Sequence, residues 1–136
     1  MWAELTLSEA LAMIGRFEFL KEVRGKGLMI GIEFGPPRSL SLKAAWALLE
    51  QARKGLFCQL ITIPLLKQHR ILTQVAGYGM NVIKLIPPLN LTQQDRQWIG
   101  TAFESVIADS HLGPGAVWGL GKTLAGHSLK APAGAA

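Results

Sequence analysis

The sequence predicts an α+β domain, an antiparallel sheet of about four strands with helices packed on one face. Three observations lead there. Residues 19–24 and 28–34, and again 71–75 and 82–86, are short runs of β-formers separated by glycines, the pattern of two hairpins. Residues 41–54 and 92–109 instead carry apolar side chains at helical spacing. The chain's 136 residues, 49% hydrophobic and 17% charged, suit one packed domain rather than a disordered segment.

Taken in order, residues 5–16 read as a helix whose apolar face is Leu7, Ala10, Leu11 and Ile14, with Gly15 as its stop. This helix begins almost at Met1, as though its first half were missing. Next comes the first predicted hairpin, in which Gly25-Lys26-Gly27 supplies a turn tolerant of positive φ. Gly25, Gly27 and Gly31 loosely match a dinucleotide fingerprint, but that motif needs a helix to follow and hold the pyrophosphate. Residues 28–34 are β-rich and run into Gly35-Pro36-Pro37, so these glycines are expected to serve the turn and close packing. In residues 41–54, Leu42, Ala45, Trp46, Leu49 and Ala52 share a face, Ser41 is placed to cap, and Arg53 and Lys54 suit the negative end of the helix dipole before Gly55.

Residues 56–63 form another apolar run, predicted as a strand ended by Pro64. Cys58 lies inside it, and with no base nearby it is expected to be a small buried hydrophobe. The second hairpin holds Gly77, Gly79 and Asn81 in its connection, and Pro87-Pro88 halts its second strand. That strand contains Lys84, a basic residue among β-formers and the one candidate site residue of the chain. Thr92 and Asp95 then form the start of a capping box. Trp98, Ile99, Ala102, Phe103, Val106 and Ile107 follow as a core face, interrupted by Gly100 at a cost of about 1 kcal/mol relative to alanine. Residues 1–110 are therefore read as the domain and 111–136 as a glycine- and alanine-rich extension with a frayed end. Residues 116–123 end in Gly-Lys-Thr and resemble a phosphate loop. A working loop of that kind joins a buried strand to a helix inside a parallel sheet, and this sequence offers neither.

Several kinds of chemistry are not supported. The net charge of +5 comes from scattered basic residues rather than a run, which argues against nucleic acid as a partner. One cysteine excludes an internal disulfide and fits a reducing compartment. There is no signal-peptide pattern and no apolar stretch of the ~20 residues that would cross a bilayer, so a cytoplasmic protein is expected. His69, His111 and His127 show no ligand pairing, and no metal site is expected. Glu33 is the one carboxylate worth checking, although its simplest role is that of a solvated edge residue. No catalytic residue is assigned.

The helix, then Val23-Arg-Gly-Lys-Gly-Leu-Met-Ile-Gly-Ile-Glu-Phe34, a second helix, Leu56-Phe57, Asn81-Val-Ile-Lys-Leu-Ile-Pro-Pro-Leu89 and a closing helix resemble, in that order, the C-terminal small domain of class III pyridoxal-phosphate-dependent aminotransferases. The likeness covers the chain to about Asp109, and the Gly-Lys-Thr-Leu-Ala-Gly-His tail resembles that of a bacterial branch. It implies a parent enzyme, a homodimer in which the cofactor lysine, the aromatic residue stacking on the cofactor and the aspartate pairing its pyridine nitrogen all lie in a large domain upstream. No cofactor-binding residue is therefore expected in this chain, and alone it should not transaminate. The resemblance also places Lys84 where many members carry an arginine that holds a substrate carboxylate; a lysine there departs from the pattern, lacking the planar fork of a guanidinium. Arg24 and Lys26 match the family's turn motif, whose role is structural. Two other readings compete: a stand-alone interaction module and, less favoured, a basic nucleic-acid binder.

Overall fold

The computed structural model describes residues 16–26 and 29–111, together with Gly119, Lys122, Thr123, Gly126 and His127 of the tail. The helix expected over 5–16 lies outside the described residues except for Arg16, as does most of the extension with its Gly-Lys-Thr motif. Strands β1 (Leu20–Lys26) and β2 (Met29–Phe34) come first, then helices α1 (Leu40–Ala52) and α2 (Leu56–His69). Strands β3 (Gln74–Val75) and β4 (Val82–Leu85) follow, and helix α3 (Gln93–His111) closes the described domain. The four strands form one antiparallel sheet in the order β1-β2-β4-β3, so the expected α+β architecture holds.

Alternation decides which face of the sheet is covered. Ile30, Ile32 and Phe34 of β2 are buried, and Ile32 lies between Val23 of β1 and Ile83 of β4. Leu20 and Val23 are both buried although three residues apart, because a register shift between Leu20 and Glu22 turns the chain by one residue. The buried strand residues join Trp46 and Leu49 of α1, Leu56, Phe57, Leu60 and Ile61 of α2, and Phe103, Val106 and Ile107 of α3 in one core. At its centre Phe57 meets Phe19 at 4.6 Å, Trp46 at 4.8 Å and Phe34 at 5.5 Å between ring centroids. The opposite face is polar, with Arg24 bonding Glu33 at 2.6 Å and Glu22 at 3.1 Å.

Residues 56–63 are not a strand. They are the first half of α2, which continues through Pro64 to His69. The helix is buried on nearly every side (Leu56, Phe57, Cys58, Leu60, Ile61, Pro64 and Leu65), so its sequence has no polar face to betray a 3.6-residue period. Pro64 deprives Leu60 of a carbonyl partner, a loss of about 3 kcal/mol in an open helix. The packing of its neighbours offsets it.

Boundaries also differ from expectation. Ser39, not Ser41, is the N-cap of α1, and it makes no side-chain capping bond. The Glu18 carboxylate, from before β1, instead holds the segment leading into the helix, accepting from the N–H groups of Arg38 (3.1 Å) and Ser39 (2.9 Å) near its positive end. Gly55 is the left-handed residue (φ 85°) that opens α2, and a Cβ there would lie 3.1 Å from the Met80 carbonyl oxygen. β1 runs on through Gly25 and Lys26, the latter paired with Met29, and residues 27–28 lie outside the described residues. Gly25 is instead a close-packing position, where a Cβ would stand 2.8 Å from the Met29 carbonyl oxygen. Trp98, expected in the core, is 58% exposed. Among the described residues no helix is long and apolar enough to cross a membrane.

Candidate functional site

Lys84 occupies the middle of β4, paired across the sheet with Gly31 of β2 on one side and Gln74 of β3 on the other. Since paired residues share a face, Lys84 belongs to the row opposite the core, and Gly31 beside it leaves that row open. Its side chain is half-buried. Together with the ends of β3, β4 and α2 and the first turns of α3 it lines an open cleft of about 850 Å³. Leu72, Ile86, Pro87 and Trp98 supply apolar walls, and Arg70 stands at the junction of α2 and the strand region.

The first turn of α3 is held by a reciprocal capping box. The Asp95 carboxylate accepts from the Thr92 N–H at 3.0 Å and from its hydroxyl at 2.7 Å, while the Asp95 N–H donates to Thr92 Oγ1 at 3.1 Å. These bonds, the backbone one first, hold the Asp95 carboxyl below the usual range. Asp95 also lines the cleft, and both bonds that its carboxylate accepts fall on Oδ2. Among the described residues neither Arg70 nor Lys84 has a carboxylate within ion-pair distance, in contrast to Arg24 and Arg16, the latter paired with Glu104. The cleft therefore combines two cations, Arg70 and Lys84, with the Asp95 carboxylate and apolar walls.

Trp98 belongs to this wall. Its indole N–H donates to the His69 carbonyl at 3.0 Å, closing the last turn of α2 with a side chain from α3. Around the same opening Leu72 is 82% exposed, with Ile86 also outside the core. The sequence did not point to Arg70 or to this rim, because both depend on where α2 ends, and α2 carries no polar stripe.

The remaining candidates are structural. Glu33 lies on an interior strand rather than an edge, and its oxygen is engaged by Arg24, whose guanidinium is held above its ordinary range chiefly by that bond. Cys58 is a free, buried thiol, and burial, aided by Glu50, pushes it up to about 12. His111 packs its ring against Phe17 and Phe19, accepts from the Phe19 N–H at 3.4 Å and meets the Ile107 carbonyl at 2.8 Å. Among the described residues no three His, Cys, Asp or Glu side chains are grouped to hold a metal.

No family profile matches the chain. Among curated proteins it is 26% identical over 121 residues to the aminotransferase PigE of a Serratia species, covering 67% of this chain and 14% of PigE. It is 31% identical over 105 residues to the alanine/serine racemase of Pyrococcus horikoshii, covering 72% of this chain and 18% of the racemase. Among solved structures, the adenosylmethionine-8-amino-7-oxononanoate aminotransferase of Methanocaldococcus jannaschii matches with a TM-score of 0.55 and 26% identity over 82% of this chain and 23% of its own. The acetylornithine aminotransferase of Elizabethkingia anophelis matches with a TM-score of 0.51 and 26% identity, over 77% of this chain and 23% of its own. In sequence and in fold this chain therefore resembles a portion of aminotransferases, spanning less than a quarter of the length of these relatives.

Proposed function

We propose that this chain is the C-terminal small domain of a class III pyridoxal-phosphate-dependent aminotransferase. Its parent moves an amino group from an amino acid or ω-amino compound to a 2-oxo acid, as a cytoplasmic homodimer. The observation that carries this reading is the fold match, which takes in 82% of this chain but 23% of the aminotransferase it is laid upon. The racemase match shows the same kind of segment under a different named reaction, which agrees with a part that shapes a site without choosing its chemistry.

The described residues do not by themselves fit pyridoxal phosphate. A phosphate is commonly held on free N–H groups at a helix start. Here a carboxylate stands beside each of two helix starts, Glu18 at α1 and Asp95 at α3, and would repel a phosphate. The carboxylate that lines the cleft, Asp95, is committed through Oδ2 to the start of α3. What this chain can contribute is a cation, Lys84, facing a substrate carboxylate, and an apolar rim that a large domain would cover. Alone, it is inactive.

The gene region upstream of this chain provides the test. It should encode a large domain with a cofactor lysine, and the joined protein should transaminate, while this chain mixed with pyridoxal phosphate should show no lysine-imine absorbance. Transamination by the isolated chain, or the lack of any such upstream domain, would overturn the reading.

A further inference from the structure

Helix α1 turns Leu42, Ala45, Trp46, Leu49 and Ala52 towards the core. A surface helix with such an inner face ordinarily carries polar side chains on the other. Here the outward face is largely apolar. Leu40 is 85% exposed and Leu48 61%, and Ala44 and Ala47 lie exposed between them. At the helical rise per residue the two leucines stand about 12 Å apart along the axis, with the two alanines as a low floor. That gap is the width of one α-helix with its side chains, roughly 10–12 Å. Cations frame the face: Arg38 before the helix, Lys43 within it, and Arg53 and Lys54 after it, all exposed. None has an ion-pair partner among the described residues, and Arg53 is held against the Tyr78 ring at 5.6 Å. The two carboxylates nearby are half-buried and already engaged, Glu18 by the N–H groups of Arg38 and Ser39, and Glu50 by the Gly55 N–H and the Asn81 amide.

We infer that the outward face of α1 is a docking surface for an acidic amphipathic helix of a partner protein, which crosses α1 over Ala44 and Ala47 with Leu40 and Leu48 on either side. Helices pack where the side chains of one enter the spaces of the other, and the alanines let the two backbones come close. Recognition of this kind depends on apolar anchors at one- and two-turn spacing along the incoming helix. The cations choose among such helices. Glutamates beside the anchors would meet Lys43 and the basic groups at both ends of α1, whereas lysines would meet like charge. A saddle with raised ends suits a rounded partner better than a flat lipid surface, and two leucines offer a bilayer little apolar area to take up. No residue of this face lines the cleft, so the docking surface is independent of the reading of Lys84.

Fluorescence anisotropy on the full 136-residue chain tests it. The probe is a labelled synthetic helix with leucines at i, i+3, i+4 and i+7 and glutamates on either side of them; a control peptide has lysines in place of the glutamates. The acidic helix should bind at least about tenfold more tightly than the basic one, and its affinity should fall as salt is raised. Leu48→Gln and Lys43→Glu should each weaken it about tenfold. The double change Ala44→Gln with Ala47→Gln raises the floor without altering charge; it should cost more than tenfold while the melting temperature stays that of the parent chain, since both positions are exposed and glutamine is a good helix former. Leu72→Ser, in the cleft, should leave binding unchanged. Equal binding of the two peptides, or binding kept after the double change, would overturn the proposal. So would loss of binding in Leu72→Ser, which would place the peptide in the cleft. Failure of the acidic helix to bind would overturn it as well, and sedimentation of the chain with phosphatidylglycerol vesicles in that case would make the face a membrane surface instead.

Discussion

Asp95 shows how one side chain can set a local structure and its response to acid. Bonding to Thr92 lowers its carboxyl below the usual range. A carboxyl whose folded value lies below its unfolded one stabilises the fold above the unfolded value, about 3.9, and loses that contribution as pH falls through the folded value. Asp95→Ala should therefore lower the melting temperature at neutral pH and narrow the gap to wild type below about pH 3.9; a gap that did not shrink on acidification would count against the cap. Cys58 offers a second check. With its thiol pushed up to about 12, native protein should resist alkylation by iodoacetamide at neutral pH and react readily once unfolded in urea. Lys84 and Cys58 were both legible as single letters, one conspicuous in its strand and the other plainly hydrophobic. Arg70, with φ 56°, was not, since nothing in His-Arg-Ile-Leu marks a left-handed turn.

Among the elements, α2 holds the sheet and the other helices together. It packs against both α1 and α3 and reaches β4. Phe57 in its first turn touches three other aromatic rings. Phe57→Ala should cost about 3–5 kcal/mol in denaturant unfolding, and a loss under 1 kcal/mol would mean that the aromatic centre is not the core it looks to be. The same burial that makes α2 important made it hard to recognise. Amphipathic α1 and α3 announced themselves, because each has one wet face; a helix covered all round reads like a buried strand, and Pro64 in its middle reinforces the error. Trp98 failed in the opposite sense. Its spacing put it with the α3 core, but its indole N–H is held by the His69 carbonyl at the end of α2 and the ring lines the cleft.

At the scale of the molecule, the sheet has a polar face ordered by Arg24, Glu22 and Glu33, and the helices cover the other. The exposed apolar residues Leu72, Ile86 and Trp98 line the cleft at one end. Burial of each such side chain is worth about 1.5–3 kcal/mol, so the isolated chain should associate through this end. Light scattering after size exclusion should show oligomers that Leu72→Ser with Ile86→Ser reduces to monomers, and a wild-type monomer at high concentration would contradict it. Much of this molecule was written into its sequence: two hairpins with their glycines, the helices α1 and α3, the box at Thr92 and the halt at Pro87-Pro88. These are local, because a repeat, a cap or a turn is set by residues within one or two turns of each other. The helical state of α2, the left-handed Arg70 and the meeting of Arg70, Lys84 and Trp98 around one opening were decided only by the packed chain. Each depends on contacts between segments far apart in sequence, where burial outweighs local preference.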